Sequence, residues 1–251
     1  MNFSGKRVLI TGGSRGIGKA AAQAFAAAGA RVAINFNSNK AAAGATIDSL
    51  TGEGHFAVKA NISHPEAVAG MVDAVSAEMG GIDILVNNAG IFIPHPLAEV
   101  DYEEWQAAWQ QTMDTNLTGA ANVTYCVARR MIEQGGGRIV FVSSRGAFRG
   151  EPTHPAYGAS KAGMNALAQS LAQALAPHNI FIGTLAPGFV ETDMTAGHLQ
   201  GESGAAIRGQ VPNGRVAQPE EMAHCILFLA SEQAAYTTGC ILDANGGSYL
   251  R

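Results

Sequence analysis

Charge is scarce in this sequence. Asp, Glu, Lys and Arg together make up 14% of its 251 residues, against about a quarter in typical soluble domains. So sparse a supply leaves apolar surface to be covered between copies of the chain. The formal net charge is −4 and the isoelectric point is near 6.0. No basic footprint for nucleic acid or an anionic membrane surface exists. Cysteine is equally thin: Cys126, Cys225 and Cys240 form an odd set without metal-ligand spacing. They read as small buried hydrophobes in a reducing compartment, and no metal is expected. No basic segment leading into an apolar stretch opens the chain, so no signal peptide is expected. No run of about 18 strongly apolar residues is present, which excludes a membrane-spanning helix. These absences describe a cytoplasmic protein.

What is present is a regular alternation. With 47% hydrophobic residues, the chain can fill a full core in one domain over residues 1–251. Short apolar runs at 6–11, 31–36, 55–60, 83–87, 138–144, 180–185 and 240–243 read as strands. Helical patterns lie at 19–28, 40–50, 65–79, 102–133, around Tyr157 and at 219–230, with an irregular segment reaching Arg215. Repeated strand–helix units imply an α/β fold: a single Rossmann-type, doubly wound parallel sheet of about seven strands with helices on both faces.

Gly12-Gly-Ser-Arg-Gly-Ile-Gly18 sits between the first strand and the first helix. Glycines let the backbone approach a pyrophosphate, and a helix N-terminus offers unpaired N–H groups and a positive dipole end. The spacing is G-x-x-x-G-x-G rather than the more familiar G-x-G-x-x-G. Further along, Tyr157 and Lys161 are four residues apart in a helix-forming segment and share one face. A fixed ammonium one turn away is expected to lower the phenol's pKa from about 10. Ser144 ends a buried strand and faces the crevice where such sheets bind ligands. These groups can bind a carbonyl oxygen and give it a proton. A lone Tyr-x-x-x-Lys also fits an ordinary helix surface.

The glycine loop, Asn87-Asn-Ala-Gly90, Asn116, Ser144, Tyr157-x-x-x-Lys161 and Pro187-Gly188 stand in one order. Jointly they resemble the short-chain dehydrogenase/reductase family over essentially the whole chain. Thr11 to Gly18, Pro187-Gly-Phe-Val-Glu-Thr-Asp-Met194 and Asn245-Gly-Gly247 are similar to its 3-oxoacyl-carrier-protein reductase branch. The resemblance implies that Tyr157 is the general acid or base and that Lys161 tunes it and holds the nicotinamide ribose. Ser144 would hydrogen-bond the substrate oxygen, and Asn116 would bend its helix and hold a water that links Lys161 to solvent. Ser143 is the competing serine; the family usually places its serine thirteen positions before the tyrosine, which favours Ser144.

For the cofactor, NADP(H), the resemblance implies contacts from Gly12, Ser14, Arg15, Gly16, Ile17 and Gly18. Further contacts would come from Asn37, from Asn61 and Ile62 beside the adenine, and from Asn88, Ala89 and Gly90. Pro187, Gly188, Val190 and Thr192 would hold the nicotinamide side, with Tyr157 and Lys161. The 35–38 stretch, Asn-Phe-Asn-Ser, has no acid to repel a 2′-phosphate, and Arg15 can reach one. A glycine-rich stretch at about 189–213 resembles a substrate lid.

The function expected is NADPH-dependent carbonyl reductase or alcohol dehydrogenase on a small ketone or secondary alcohol. The alternative is 3-oxoacyl-carrier-protein reductase. A non-catalytic NADP(H) sensor fits less well, because Tyr157, Lys161, Ser144 and Asn116 are all kept. Stretches 132–137 and 176–179 contain no Lys or Arg to dock an acidic carrier, although Arg129 and Arg130 lie close by. His154 and Glu151 give the pocket rim polarity; His154 either orients a polar substrate or caps and packs locally. Apolar residues spread around the 102–133 and Tyr157 helices need burial on two sides, and with the resemblance they imply a homotetramer.

Overall fold

Apolar runs such as Ile84-Leu-Val-Asn87 become strands because both of their faces are covered. The structure, a computed structural model, describes residues 1–251. Strands β1 Arg7–Ile10, β2 Arg31–Phe36, β3 Phe56–Lys59, β4 Ile84–Asn87, β5 Gly137–Val142, β6 Ile180–Pro187 and β7 Ile241–Ala244 form one sheet. All neighbours are parallel, in the order β3-β2-β1-β4-β5-β6-β7. Every residue of β4 is buried, as expected of a strand sandwiched between helix layers.

The helices are α1 Gly16–Ala27, α2 Lys40–Asp48, α3 Pro65–Met79, α4 Tyr102–Met113, α5 Ala120–Gln134, α6 Gly146–Arg149, α7 Pro155–Leu175, α8 Gly201–Gly209 and α9 Pro219–Ala230. Phe25 of α1 and Ile226 of α9 pack on Ile10, Ile34 and Val86 on one face. Val75 of α3, Met131 of α5 and Met164 of α7 pack on Leu9, Leu85 and Phe141 on the other. Each fully buried side chain of this size contributes about 1.5–3 kcal/mol. The doubly wound seven-stranded sheet is therefore as expected. Strand order reverses between β1 and β4, so the ligand crevice opens at their carboxyl ends.

Three expectations need correction. The helix expected at 102–133 is broken by a π-helical turn, Asp114–Gly119, between α4 and α5. At Gly119 an added Cβ would lie 2.8 Å from the Ile62 carbonyl oxygen, so the chain there runs tightly against the loop after β3. The segment read as irregular up to Arg215 contains α8, held by buried Ile207. Its glycines hide the helix from a propensity argument. The three cysteines are free but half-buried rather than buried, because each lies at the margin of a core cluster. No helix is long and apolar enough to cross a membrane.

Candidate active site

After Thr11 the chain turns through Gly12 and Gly16, whose φ values of 63° and 52° lie in the left-handed region. Arg15, the N-cap of α1, makes no side-chain cap, and the first turn holds no acid. The first N–H groups of α1 and its positive dipole end are thus left for an anion. Gly18 lies so close to the Gly12 carbonyl and the Asn88 amide that a Cβ has no room. Thr11 Oγ1 accepts from the N–H groups of Asn88 (3.0 Å) and Ala89 (3.1 Å). Asn88 Nδ2 donates to the carbonyls of Thr11 and Gly12, both at 3.0 Å. Asn35 of β2 donates to the Ala60 carbonyl at 3.0 Å and accepts from Gly12 N–H at 3.5 Å. This braced, uncapped backbone fits a pyrophosphate, so Gly12, Ser14, Gly16, Ile17 and Gly18 would hold that part of a dinucleotide. The bracing by Thr11 and Asn35 is not among the sequence expectations; its signal is a polar residue at or near the end of an apolar strand.

Lys161, Tyr157 and Ser144 meet at the carboxyl end of β5. Lys161 is buried, and its Nζ donates to the Val142 carbonyl at 2.8 Å. Burial pulls its ammonium down to about 8. Tyr157 is pushed up to about 12 by burial, opposed by a hydrogen bond with Ser144 and reinforced by the charge of Glu151. The expectation that Lys161 lowers the phenol's pKa is corrected here: the ammonium lies 5.7 Å from the ring centre, and desolvation wins. A phenol with that pKa is fully protonated at neutral pH, the form a reductive acid requires. Ser144 Oγ accepts from Gly146 N–H at 3.0 Å. Ser143 Oγ instead donates toward the Lys161 carbonyl at 3.4 Å and is buried, which leaves Ser144 as the serine facing Tyr157.

Asn116 lies inside the π-helical turn with its side chain fully buried. Its Oδ1 accepts from Ile91 N–H at 2.8 Å and its Nδ2 donates to the Ile91 carbonyl at 3.0 Å. Nδ2 also donates to Ser160 Oγ at 3.2 Å. The helix distortion implied for this position is present, and the amide is spent on Ile91 and Ser160. A Cβ at Gly90 would lie 3.3 Å from Asn116 Oδ1 and 3.6 Å from Lys161 Nζ. Asn116, Gly90 and Lys161 thus converge.

Aromatic rings form the wall beside Tyr157. Phe92 lies edge-on to Tyr157 at 4.7 Å and stacks on His154 at 3.5 Å. His198 packs edge-on to both Phe92 and His154, at 5.8 and 6.0 Å. Burial, then the charges of His198 and His95, push His154 down to about 4. The His154 Nδ1 lies 2.8 Å from Thr153 Oγ1, its buried Nε2 has no partner, and the side chain makes no cap on α7. Burial also raises Glu151. The start of α7 is held from outside: His95 Nε2 accepts from Ala156 N–H at 3.1 Å, and its Nδ1 lies 2.8 Å from the Ile93 carbonyl. Phe92 and His95 follow Asn-Asn-Ala-Gly in a stretch without readable pattern, so sequence reasoning passed over them.

The remaining candidates line the same end of the sheet. Pro187 ends β6, and Gly188 follows it. Val190 is buried and bridges to Ala217. Thr192 Cγ2 would be 3.1 Å from a Cβ at Gly16, which places this strip against the glycine loop. Arg15 pairs with Asp193 at 3.4 Å, both largely exposed. Asn37 is exposed just past β2. Asn61 Oδ1 accepts from the N–H and hydroxyl of Ser63, at 3.1 and 2.9 Å. Ile62 is buried.

Comparison with known proteins agrees with this geometry. The family model described as short chain dehydrogenase matches residues 6–203. The 3-oxoacyl-(acyl-carrier-protein) reductase FabG of Vibrio cholerae is 41% identical over 250 residues, covering 100% of both chains. The Escherichia coli reductase of the same name is 39% identical with the same coverage. The crystal structure of a short-chain type dehydrogenase/reductase from Mycobacterium marinum superposes with a TM-score of 0.90 at 34% identity, covering 100% of this chain and 98% of the other. A family model spanning most of the chain, on top of Tyr157 and a buried Lys161 on one helix and an uncapped glycine loop, leads to one conclusion: the chain belongs to the short-chain dehydrogenase family and is an NAD(P)-dependent oxidoreductase.

Proposed function

We propose that this protein reduces the 3-oxo group of an acyl thioester borne on acyl carrier protein, with NADPH as reductant. The observation that carries this reading is 41% identity along the whole length of a reductase named for that reaction, together with an intact Ser144, Tyr157 and Lys161. NADPH held there would supply the hydride that the ketone carbon receives. The chain's own residues handle the oxygen: Ser144 donates a hydrogen bond as negative charge develops there, and Tyr157 gives up its phenolic proton. The buried Lys161 ammonium then steadies the phenolate until the proton is replaced. NADPH rather than NADH is supported by the acid-free stretch after β2 and by exposed Arg15. The segment 189–213 serves as the substrate lid, and residues 1–251 act as one domain.

An acidic carrier needs a basic landing surface. Arg129 is exposed and forms no ion pair, whereas Arg130 is tied to Asp73 at 2.7 Å. A second reading, reduction of a free small ketone, is favoured by the absence of Lys and Arg in 132–137 and 176–179. The Phe92, His154 and His198 rings beside Tyr157 also favour a compact substrate. The full-length similarity outweighs these, so the carrier-bound thioester is preferred. The deciding experiment compares kcat/KM for acetoacetyl-carrier protein with that for free acetoacetate esters and simple ketones, all with NADPH. Strong preference for the carrier-bound thioester is expected; equal or greater efficiency with free ketones would transfer the assignment to the second reading.

A further inference from the structure

Arg145, the residue after Ser144, is buried, and no carboxylate pairs with it. Burying an unpaired guanidinium is costly, so its neutral partners call for explanation. They come from three separate segments. Its side chain donates to Ser248 Oγ in the C-terminal loop through Nη1 and to Gln210 Oε1 through Nη2, the latter at 3.2 Å. Its guanidinium lies over the Phe189 ring, 5.0 Å from the centre. Its own N–H donates to the Pro187 carbonyl at 2.8 Å. Phe189 opens the proposed lid, and Gln210 lies near its other end. Arg149 adds a second donor to the same Gln210 oxygen, at 2.9 Å.

We propose that Arg145 is a positioning residue that clamps both ends of the 189–210 segment to the catalytic Ser144, with Gln210 as the releasable latch. One side chain ties the lid's two roots to the strand end that carries the serine. The lid's position and the serine's are thereby set together. A neutral amide oxygen between two guanidiniums is held firmly enough to close the segment, yet more weakly than a carboxylate would be. That balance suits a lid that must open on every turnover. The inference rests on reading 189–213 as a lid and does not depend on which ketone is the substrate.

Gln210 and Arg149 are exposed, so their variants keep the fold, and the full chain can be tested. The measurements are the rate of tryptic cleavage after Arg208 within α8, the Kd for NADPH, and KM for whichever ketone is turned over. Gln210→Ala should speed cleavage and raise KM, each about tenfold, with the NADPH Kd within twofold of the parent. Gln210→Glu should do the opposite, slowing cleavage by a similar factor, because a carboxylate now meets two guanidiniums. In an Arg149→Ala background the slowing by Gln210→Glu should persist, since Arg145 remains. Cleavage at the parental rate in both Gln210 variants overturns the clamp. Loss of the Gln210→Glu effect in the Arg149→Ala background also overturns it, by assigning the hold to Arg149. The cleavage readout needs no substrate, so failure of the carrier-protein reading leaves this test standing.

Discussion

Tyr157 and Lys161 show how burial separates the roles of two neighbouring groups. The phenol, pushed up to about 12, holds its proton. Tyr157→Phe should therefore lower kcat at least a hundredfold, the usual share of a general acid, while the NADPH Kd stays close to the parent value. Lys161, lowered to about 8 from 10.5, carries a desolvation penalty. That penalty is fully present below pH 8 and fades as pH rises from 8 to 10.5, because the unfolded chain binds the extra proton in that window. Lys161→Met should consequently inactivate the enzyme yet raise its stability by about 2 kcal/mol at pH 7, after allowing for the bond lost at Val142. Urea unfolding at pH 7 and pH 10 checks this, with a smaller gap expected at the higher pH. Ketone reduction by the parent enzyme should decline as pH rises through about 8, where the ammonium is lost. Arg15 acts at the same scale. Removing a charge-assisted contact of about 1.5–3 kcal/mol should weaken NADPH at least tenfold in Arg15→Ala and leave NADH unchanged. Isothermal titration with both cofactors decides it; equal weakening of both would discard the 2′-phosphate contact.

Among the elements, α7 carries Tyr157 and Lys161, and its N-terminus is not self-sufficient. Pro155 opens it, and His95 from the loop after β4 accepts the Ala156 N–H. His95→Ala orphans that donor, at about 1 kcal/mol for a lost cap. Because Tyr157 is the next residue, kcat should fall by more than the stability loss explains. Thermal melts beside single-turnover rates read the two effects, and a Gln at position 95 should restore part of the rate by offering an acceptor. The π-helical turn works similarly: it sends Asn116 inward to Ile91, fixing the loop that leads to Phe92 and His95. Secondary structure here is bent to serve side-chain placement.

At the scale of the whole molecule, apolar groups on α4 and α7 remain partly uncovered, including Trp105, Trp109, Leu167 and Leu171, with Tyr102 of α4 and Tyr125 of α5 exposed. A chain with so little charge has few ways to keep such surface in water. Multi-angle light scattering at micromolar concentration is expected to give a tetramer of the 25.9 kDa chain; a monomer would show that these faces need no cover.

Alternating apolar runs, the glycine loop and Tyr157-x-x-x-Lys161 are local features, and each dictates local structure through backbone sterics and periodic burial. They were enough to lay out the doubly wound sheet and its crevice, and to nominate Ser144, Tyr157 and Lys161 there. The sign of the tyrosine's pKa shift was not local, because burial depends on what packs around the ring. The same holds for the π-helical turn, which needs Ile91 and Ile62 brought alongside the helix from distant parts of the chain. His95 beneath α7, the ring stack at Phe92 and the grip of Arg145 on Phe189, Gln210 and Ser248 are likewise meetings of remote segments. Sequence determined which groups could react; only the tertiary structure decided what surrounds them, since desolvation and hydrogen bonding are set by neighbours in space rather than along the chain.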